Sequence, residues 1–304
     1  MEKRRIPGTH IDVSVVGLGC NQFGWSVDPA GAKEIVDVAL DAGITYFDTA
    51  ETYGDGESER SLGAALRGRR EQVVIGTKFG WGKGGKDNEI ARGARPYIRE
   101  AVERSLRALE TDYIDLYMYH RHDTITPIEE TLAALTELVQ EGKVLHIGCA
   151  NFSGVRIEEA DGLARAGGLS RFVTVQNEWS LLERRIEEKV VPACERCEVG
   201  IIPYFPLARG LLTGKYRRGE PSPGGRIADT STIEDETWDR VEALEALASE
   251  WGVSMLELAI GGLAAEPQVV TVITGARTPE QVVANVAAGV WEPSAGELAA
   301  LRAV

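Results

Sequence analysis

The stretch Ile114-Asp115-Leu116-Tyr117-Met118-Tyr119-His120 is a strand-like run that ends on a histidine. A helical pattern follows at residues 128–141, and a second strand-like run follows at 144–148. Strand, helix and strand in this order are typical of a parallel sheet, because the helix carries the chain back to the start of the next strand. The repetition of this unit along the chain decides the predicted fold.

Strand-like runs alternate with helical stretches along the whole chain. Eight runs are recognisable, at residues 15–18, 45–48, 73–77, 114–119, 144–148, 173–176, 201–204 and 269–273. Eight strand-helix repeats predict an α/β protein whose parallel sheet closes into a (β/α)8 TIM barrel. We expect one domain spanning residues 1–304, with an N-terminal β-hairpin before the first strand and with extra helices and long loops at the C-terminal rim.

Charge and hydropathy argue against several classes of protein. The chain carries 33 Lys and Arg against 47 Asp and Glu, and the resulting net charge of −14 opposes binding to nucleic acid. No stretch approaches the ~20 apolar residues of a membrane span, and no apolar signal segment follows the N-terminus. We therefore expect a cytoplasmic protein with no nucleic-acid or membrane partner, and the sequence leaves room for a homo-oligomer.

The four cysteines do not form a disulfide framework in a chain of this length. Cys194 and Cys197 have a Cys-x-x-Cys spacing inside a helical pattern, which places both thiols on one helical face. A zinc site would need two further soft ligands at a suitable spacing, and we predict no metal site. A redox role for this pair stays open.

Four polar residues stand at or just past the ends of the second, third and fourth strand-like runs: Asp48, Tyr53, Lys78 and His120. Catalytic groups gather at this rim of a β/α barrel. A phenol has a pKa near ~10, and a nearby lysine cation lowers it by stabilising the phenolate. The set therefore predicts an acid that protonates a carbonyl oxygen. Taken singly, each residue has an ordinary alternative as a packed aromatic, a solvated charge or a hydrogen-bonded histidine.

Three motifs in a fixed order connect the chain to a known family. The first is Gly43-Ile44-Thr45-Tyr46-Phe47-Asp48-Thr49-Ala50 running into Tyr53, the second is Gly142-Lys143-Val144 with Asn151-Phe152-Ser153, and the third is Ile273-Thr274-Gly275-Ala276-Arg277-Thr278-Pro279-Glu280-Gln281. In these motifs the chain resembles the aldo-keto reductases, here of the bacterial, NADP-dependent type, over nearly its whole length. The resemblance implies that the four rim residues form the catalytic tetrad and that the hairpin closes the bottom of the barrel.

The resemblance also implies a nicotinamide dinucleotide held by the barrel rim. Ten residues would contact it: Asn151, Gln176 and Tyr204 at the nicotinamide, Leu207, Gly210 and Lys215 over the pyrophosphate, and Gly275, Arg277, Gln281 and Asn285 at the adenosine. The guanidinium of Arg277 can pair with a ribose 2′-phosphate, which favours NADPH over NADH. Each residue also has a structural alternative, such as a strand-end cap or a core aromatic.

Long loops interrupt the alternation at the same rim, at residues 80–95, 177–185 and 207–232. Loops in this position select substrates in barrels. Trp25, Trp81 and Trp179 lie on rim segments and are our candidates for the wall of a substrate pocket. Tryptophan is also a common packing residue, so the alternative for each is a place in the core.

The predicted function is the reduction of an aldehyde or ketone to an alcohol with NADPH. Three alternatives stay open. The same tetrad would serve an enzyme that oxidises a sugar or polyol, and relatives on this fold include non-catalytic, cofactor-binding regulatory proteins. A metal-dependent hydrolase would need ligands on several strands, whereas only His120 and His122 stand together at the rim. The sequence does not identify the carbonyl substrate.

Overall fold

The structure is a computed structural model that describes residues 1–82 and 90–304. Eight parallel strands form its centre, and a two-stranded antiparallel hairpin precedes them. The hairpin consists of β1 (Lys3–Arg5) and β2 (Asp12–Ser14). The parallel strands are β3 (Val16–Gly19), β4 (Tyr46–Asp48), β5 (Val74–Phe79), β6 (Ile114–Tyr119), β7 (Val144–Ala150), β8 (Phe172–Glu178), β9 (Gly200–Tyr204) and β10 (Val272–Gly275).

The strands follow one another around a (β/α)8 TIM barrel, which confirms the predicted fold. Each strand from β3 to β8 pairs with the next, and β10 pairs with β3. The remaining gap, between β9 and β10, narrows at a bridge where the Ile201 N–H donates to the Gln268 carbonyl at 2.7 Å and the Val270 N–H donates to the Ile201 carbonyl at 3.0 Å. The eighth strand was predicted to start at 269, but its regular ladder starts at Val272, where the pairing with β3 begins.

The hairpin closes the bottom of the barrel. Ile6 and Val13 are buried in one apolar cluster with Tyr46, Leu116 and Ile202, which belong to three different barrel strands. This cluster fills the interior of the barrel away from the C-terminal ends of the strands. Burial of these side chains leaves the opposite end of the barrel as the open one.

Helices surround the sheet, and their apolar faces pack on the outward-facing side chains of the strands. Among the described residues they are α1 (Pro29–Asp41), α2 (Glu57–Ala65), α3 (Arg95–Leu109), α4 (Ile128–Gln140), α5 (Gly154–Gly167), α6 (Ile186–Cys197), α7 (Asp235–Trp251), α8 (Met255–Ala264), α9 (Pro279–Ala288) and α10 (Ala295–Ala303). Two helices follow β9 and two follow β10, which accounts for the predicted extra helices. No helix in the described ranges is long and apolar enough to cross a bilayer.

The long loops predicted at 177–185 and 207–232 connect β8 to α6 and β9 to α7. Both therefore leave the C-terminal ends of strands, at the open end of the barrel. The third predicted loop, at 80–95, includes residues 83–89, which lie outside the described part of the chain. Its described residue Trp81 reaches the same rim.

Candidate active site

Three neighbouring strands bring the four predicted tetrad residues together. Asp48 is the last residue of β4, and Lys78 is the next-to-last residue of β5. His120 directly follows β6, and Tyr53 begins a short 3₁₀ turn after β4. The rings of Tyr53 and His120 meet edge to face, with centroids 6.0 Å apart. The structure thus brings the four predicted residues together at one rim.

Lys78 lies at the centre of this cluster. Its Nζ donates to Asp48 Oδ2 at 2.8 Å, to the Thr49 carbonyl at 2.7 Å and to the Tyr53 hydroxyl at 3.3 Å. Side chains alternate along a strand, so Lys78 points into the barrel while Thr77 points outward to a glutamate of α2. The Lys78 side chain has 0% exposure, and three acceptors satisfy its three N–H donors.

Burial and charge act against each other on the buried pair. Burial raises the pKa of Asp48, and the opposing effects of Lys78 and Gln176 do not cancel the rise. Burial also favours a lower pKa for Lys78, but the Asp48 carboxylate and Tyr53 outweigh it, and the pKa of Lys78 is raised. Lys78 is therefore held as an ammonium group.

The pKa of Tyr53 departs from the prediction. We expected Lys78 to bring the pKa below the ordinary value of a phenol. In the structure burial raises the pKa of Tyr53, Lys78 opposes that rise, and the net pKa lies above 10.0. The desolvation of a phenolate cannot be read from residue spacing, and here it exceeds the effect of the cation. Tyr53 is therefore a protonated phenol at neutral pH.

His120 is a neutral imidazole. Burial, followed by the nearby charge of Lys78, lowers its pKa well below the ordinary value of 6.5. Its Nδ1 is buried and has no hydrogen-bond partner among the described residues. Asn151 donates its side-chain amide to the His120 carbonyl at 3.0 Å, which fixes the backbone at this point. The imidazole thus faces the cavity in an uncharged form over the physiological pH range.

Sequence reasoning missed Glu51, which anchors the loop that carries Tyr53. Its buried carboxylate accepts hydrogen bonds from the Gly80 N–H, the Tyr97 hydroxyl and Arg104, each at 2.9 Å. The donors come from the end of β5 and from α3, so the loop after β4 is tied to two other elements. A carboxylate inside the motif was visible in the sequence, but its partners are far away along the chain.

A cavity of about 1200 Å³ extends from the tetrad along the open end of the barrel. Asp48, Tyr53 and His120 line it, and Lys78 lies buried beneath them. All ten residues predicted to contact a dinucleotide also line it: Asn151, Gln176, Tyr204, Leu207, Gly210, Lys215, Gly275, Arg277, Gln281 and Asn285.

We call the part of the cavity beside the tetrad its inner end. Two side-chain amides there are hydrogen-bonded to neighbouring side chains. Gln176 Nε2 donates to Asp48 Oδ1 at 2.8 Å. The Tyr204 hydroxyl donates to Asn151 Oδ1 at 2.8 Å. Asn151 has a positive φ of 60°, a conformation that asparagine tolerates better than most residues. These contacts orient polar groups around the space in front of the tetrad.

We call the part of the cavity farthest from the tetrad its outer end. There, side chains of the turn between β10 and α9, and of α9 itself, hydrogen-bond to the backbone of the turn. Gln281 Oε1 accepts from the Arg277 N–H at 2.8 Å, and Asn285 donates to the Gly275 carbonyl at 3.2 Å. Thr278 caps the N-terminus of α9. The Arg277 side chain is exposed and forms no ion pair with a described residue, so its guanidinium is available to a ligand.

The loop after β9 adds two arginines that the sequence did not single out. Arg209 and Arg226 lie against the ring of Phe205, at 5.2 and 5.0 Å from its centroid. Burial lowers the pKa of Arg226, and the charges of Arg209 and Arg277 lower it further. Arg226 is therefore close enough to both Arg209 and Arg277 to be repelled by each. The loop was rich in arginine, but nothing in its pattern showed which side chains turn toward the cavity.

The three predicted tryptophans separate into two groups. Trp25 and Trp81 line the cavity, and the Trp81 ring lies 4.6 Å from that of His120. Trp179 is 2% exposed and does not line the cavity, so its assignment to the substrate pocket was wrong. Its indole N–H donates to Glu187 at 2.9 Å, and its ring packs in the core beside α6. It directly follows β8, and the spacing alone did not show which way the ring turns.

A β/α barrel with a buried Lys–Asp pair, a phenol and an imidazole at one end of a long cavity defines a class of carbonyl oxidoreductases. The aldo/keto reductase family model matches residues 15–304, and the chain belongs to this family. It is therefore an NAD(P)-dependent oxidoreductase acting on CH–OH or C=O groups.

Individual relatives are similar over most of their length. The aldo-keto reductase YhdN of Bacillus subtilis (strain 168) is 36% identical over 299 residues, which cover 93% of this chain and 87% of YhdN. A probable voltage-gated potassium channel subunit beta of Oryza sativa subsp. japonica is 35% identical over 300 residues, covering 95% and 91%. The holo form of the aldo-keto reductase AKR11C1 from Bacillus halodurans superposes with a TM-score of 0.84 at 33% identity, covering 100% and 96%.

Proposed function

We propose that this protein reduces an aldehyde or ketone to the corresponding alcohol with NADPH, and that Tyr53 is the general acid. The observation that carries the proposal is the position of the Tyr53 hydroxyl, 3.3 Å from Lys78 Nζ and on the wall of the cavity. A protonated phenol beside a buried ammonium group can release a proton into the cavity and leave a phenolate that the cation stabilises.

The other tetrad residues support this transfer. Asp48 accepts from Lys78 at 2.8 Å and keeps the ammonium group in place. Neutral His120 can donate a hydrogen bond to the carbonyl oxygen while Tyr53 protonates it, because both rings face the same space. When bound, the reduced nicotinamide supplies a hydride to the carbonyl carbon. The protein contributes the proton and the orientation.

The choice of NADPH over NADH rests on the positive charge at the outer end of the cavity. Arg226 is repelled by both Arg209 and Arg277 in the free protein, and Arg226 and Arg277 have no carboxylate partner among the described residues. The phosphates of a dinucleotide would relieve this repulsion. A third anionic group, the ribose 2′-phosphate, gives Arg277 a bidentate partner that NADH lacks. The inner residues Asn151, Gln176 and Tyr204 would then surround the nicotinamide.

A substrate panel tests the proposal. Aldehydes, ketones, sugars and polyols are offered with NADPH, NADH and their oxidised forms, and the absorbance of the reduced cofactor is followed. We expect loss of NADPH with carbonyl compounds at a higher kcat/KM than with NADH. Cofactor binding without turnover of any compound would favour a regulatory protein, and turnover confined to polyols with the oxidised cofactor would favour a dehydrogenase.

A further inference from the structure

Arg121 is an exposed arginine beside Trp81, whose ring lines the cavity. It directly follows His120, and its guanidinium carbon lies 5.4 Å from the centre of the Trp81 ring. The same ring contacts His120, at 4.6 Å between centroids. The Trp81 indole, which lines the cavity, thus contacts both an exposed cation and the tetrad imidazole.

The charge of Arg121 is not neutralised within the described ranges 1–82 and 90–304. Within those ranges it forms no ion pair, and its guanidinium lies against the ring of Trp81. Most arginines of the chain are paired with carboxylates, as Arg104 is with Glu51 at 2.9 Å. An unpaired guanidinium beside a ring that lines the cavity, on a chain of net charge −14, attracts anions locally.

The carboxylates of the cavity wall are engaged elsewhere. Among the described residues that line the cavity, the acidic ones are Asp48 and Glu178. Asp48 pairs with Lys78 at 2.8 Å, and Glu178 lies 3.9 Å from Arg209. Neither carboxylate pairs with Arg121, so an anionic ligand could do so without displacing an existing ion pair.

The charges of Arg121 and Arg209 both act on Tyr204. Burial raises the pKa of Tyr204 to about 12, while Arg209 and Arg121 both act to lower it. The phenol is therefore within reach of both charges. Arg209 belongs to the outer end of the cavity, whereas Arg121 directly follows His120 in the chain.

We propose that the carbonyl substrate carries an anionic group, a carboxylate or a phosphate, which Arg121 binds while the body of the substrate lies against Trp81. This inference rests on the proposed function, because it assumes that the carbonyl is reduced beside His120. A guanidinium binds either anion through two parallel hydrogen bonds. The Trp81 indole, which contacts both Arg121 and His120, provides an apolar surface for a short linker between the two ends of the substrate.

Matched substrate pairs test the inference by changing only the charge. The first pair is 4-carboxybenzaldehyde and its methyl ester, and the second is glyceraldehyde 3-phosphate and glyceraldehyde. We expect the wild type to have a roughly 10- to 100-fold higher kcat/KM for the anionic member of at least one pair, the range that a charge-assisted hydrogen bond supplies. The pair that shows the preference identifies the anion as a carboxylate or a phosphate.

The variant Arg121→Gln removes the charge and keeps a hydrogen-bond donor. It should abolish the preference by lowering kcat/KM for the anionic substrate alone, leaving the neutral one within about twofold. Arg107→Gln is the matched control, because Arg107 is an exposed arginine in the last turn of α3 that likewise forms no ion pair with a described residue. Equal rates on both members of each pair, a preference that survives in Arg121→Gln, or equal losses on both members would each overturn the inference.

A binding measurement separates this inference from the proposed function. Calorimetric titration of the cofactor-loaded protein with benzoate and with benzamide needs no turnover. We expect benzoate to bind more tightly than benzamide, and Arg121→Gln to remove that difference. If no carbonyl compound is reduced but benzoate binding depends on Arg121, the reductase proposal fails and the anion site stands. If carbonyl compounds are reduced but the affinity for benzoate is the same in wild type and Arg121→Gln, the anion site is refuted and the reductase proposal stands.

Discussion

The inner and outer ends of the cavity hold their charges in opposite ways. At the inner end, Lys78 and Asp48 have side-chain exposures of 0% and 4% and are paired with each other at 2.8 Å. At the outer end, Arg209 is 62% exposed, and Arg226 and Arg277 have no carboxylate partner among the described residues. At the inner end the protein itself supplies both partners of the ion pair. The outer end, in contrast, has an excess of positive charge.

This difference indicates what each end does. A buried cation that is already fully hydrogen-bonded cannot bind a ligand, but it can stabilise charge that develops on a neighbour during a reaction. Exposed cations that repel one another gain most when an anion binds between them. Substitutions at the inner end should therefore change the chemical step, and substitutions at the outer end should change cofactor affinity.

The largest effect is expected for Tyr53→Phe at the inner end. It removes the proposed proton donor, and kcat for carbonyl reduction should fall by about 10²–10⁴, as is usual when a general acid is lost. NADPH affinity, measured by fluorescence titration, should stay within about twofold because the phenol contacts the reacting end only. Tyr113→Phe, a phenol at the far end of β6, is the control. Retention of activity within a few-fold of wild type would refute the role of Tyr53.

Replacing Lys78 by Met should cost about 10²-fold in kcat and also change the pH profile. Reduction needs protonated Tyr53, whose pKa is raised above 10.0 by burial and held back by Lys78. The wild-type rate should therefore be flat through neutral pH and fall only in the alkaline range. Without the cation the pKa of Tyr53 rises further, and the alkaline fall should move to higher pH.

The same substitution bears on stability. Removing one partner of a buried ion pair typically costs about 3–5 kcal/mol in the free energy of unfolding. Urea denaturation of Lys78→Met and of the double variant Lys78→Met/Asp48→Asn should show that the second change restores part of this loss. An unchanged pH profile together with unchanged stability would contradict the description of the inner end.

At the outer end, a smaller effect is expected for Arg277→Ala. If Arg277 binds a 2′-phosphate, NADPH should bind roughly 10- to 100-fold more weakly and NADH should be unaffected. The loss should shrink with added salt, because the side chain is exposed. The test is to measure the dissociation constants of NADPH and NADH for the wild type and for Arg277→Ala. Equal weakening of both would indicate stacking on the adenine, and no change in either would indicate a side chain that stays in solvent.

The smallest effect is expected for Trp179→Phe, which lies outside both ends. The change removes the hydrogen bond from the indole to Glu187, at a cost of about 1 kcal/mol in the free energy of unfolding. Glu187 keeps its ion pair with Arg184 at 2.8 Å. Kinetic constants should not change for any substrate. A selective change in KM would return Trp179 to the substrate pocket.

The sequence by itself determined the fold and the inner end of the cavity. Eight strand-like runs with helices between them predict a parallel barrel, because strands buried on both faces read as short apolar runs. Once the barrel is predicted, residues at successive strand ends must converge at one rim. Asp48, Lys78 and His120 could therefore be placed together without coordinates, and the signature motifs added Tyr53.

Only the tertiary structure decided the direction of side chains in the loops and the balance of burial against charge. Arg209 and Arg226 face the cavity and Trp179 faces the core, because the backbone path of each loop depends on contacts with distant elements. Glu51 is linked to Arg104, which lies 53 positions further along the chain. The raised pKa of Tyr53 has the same origin, since desolvation depends on everything that surrounds a group and not on its neighbours in sequence.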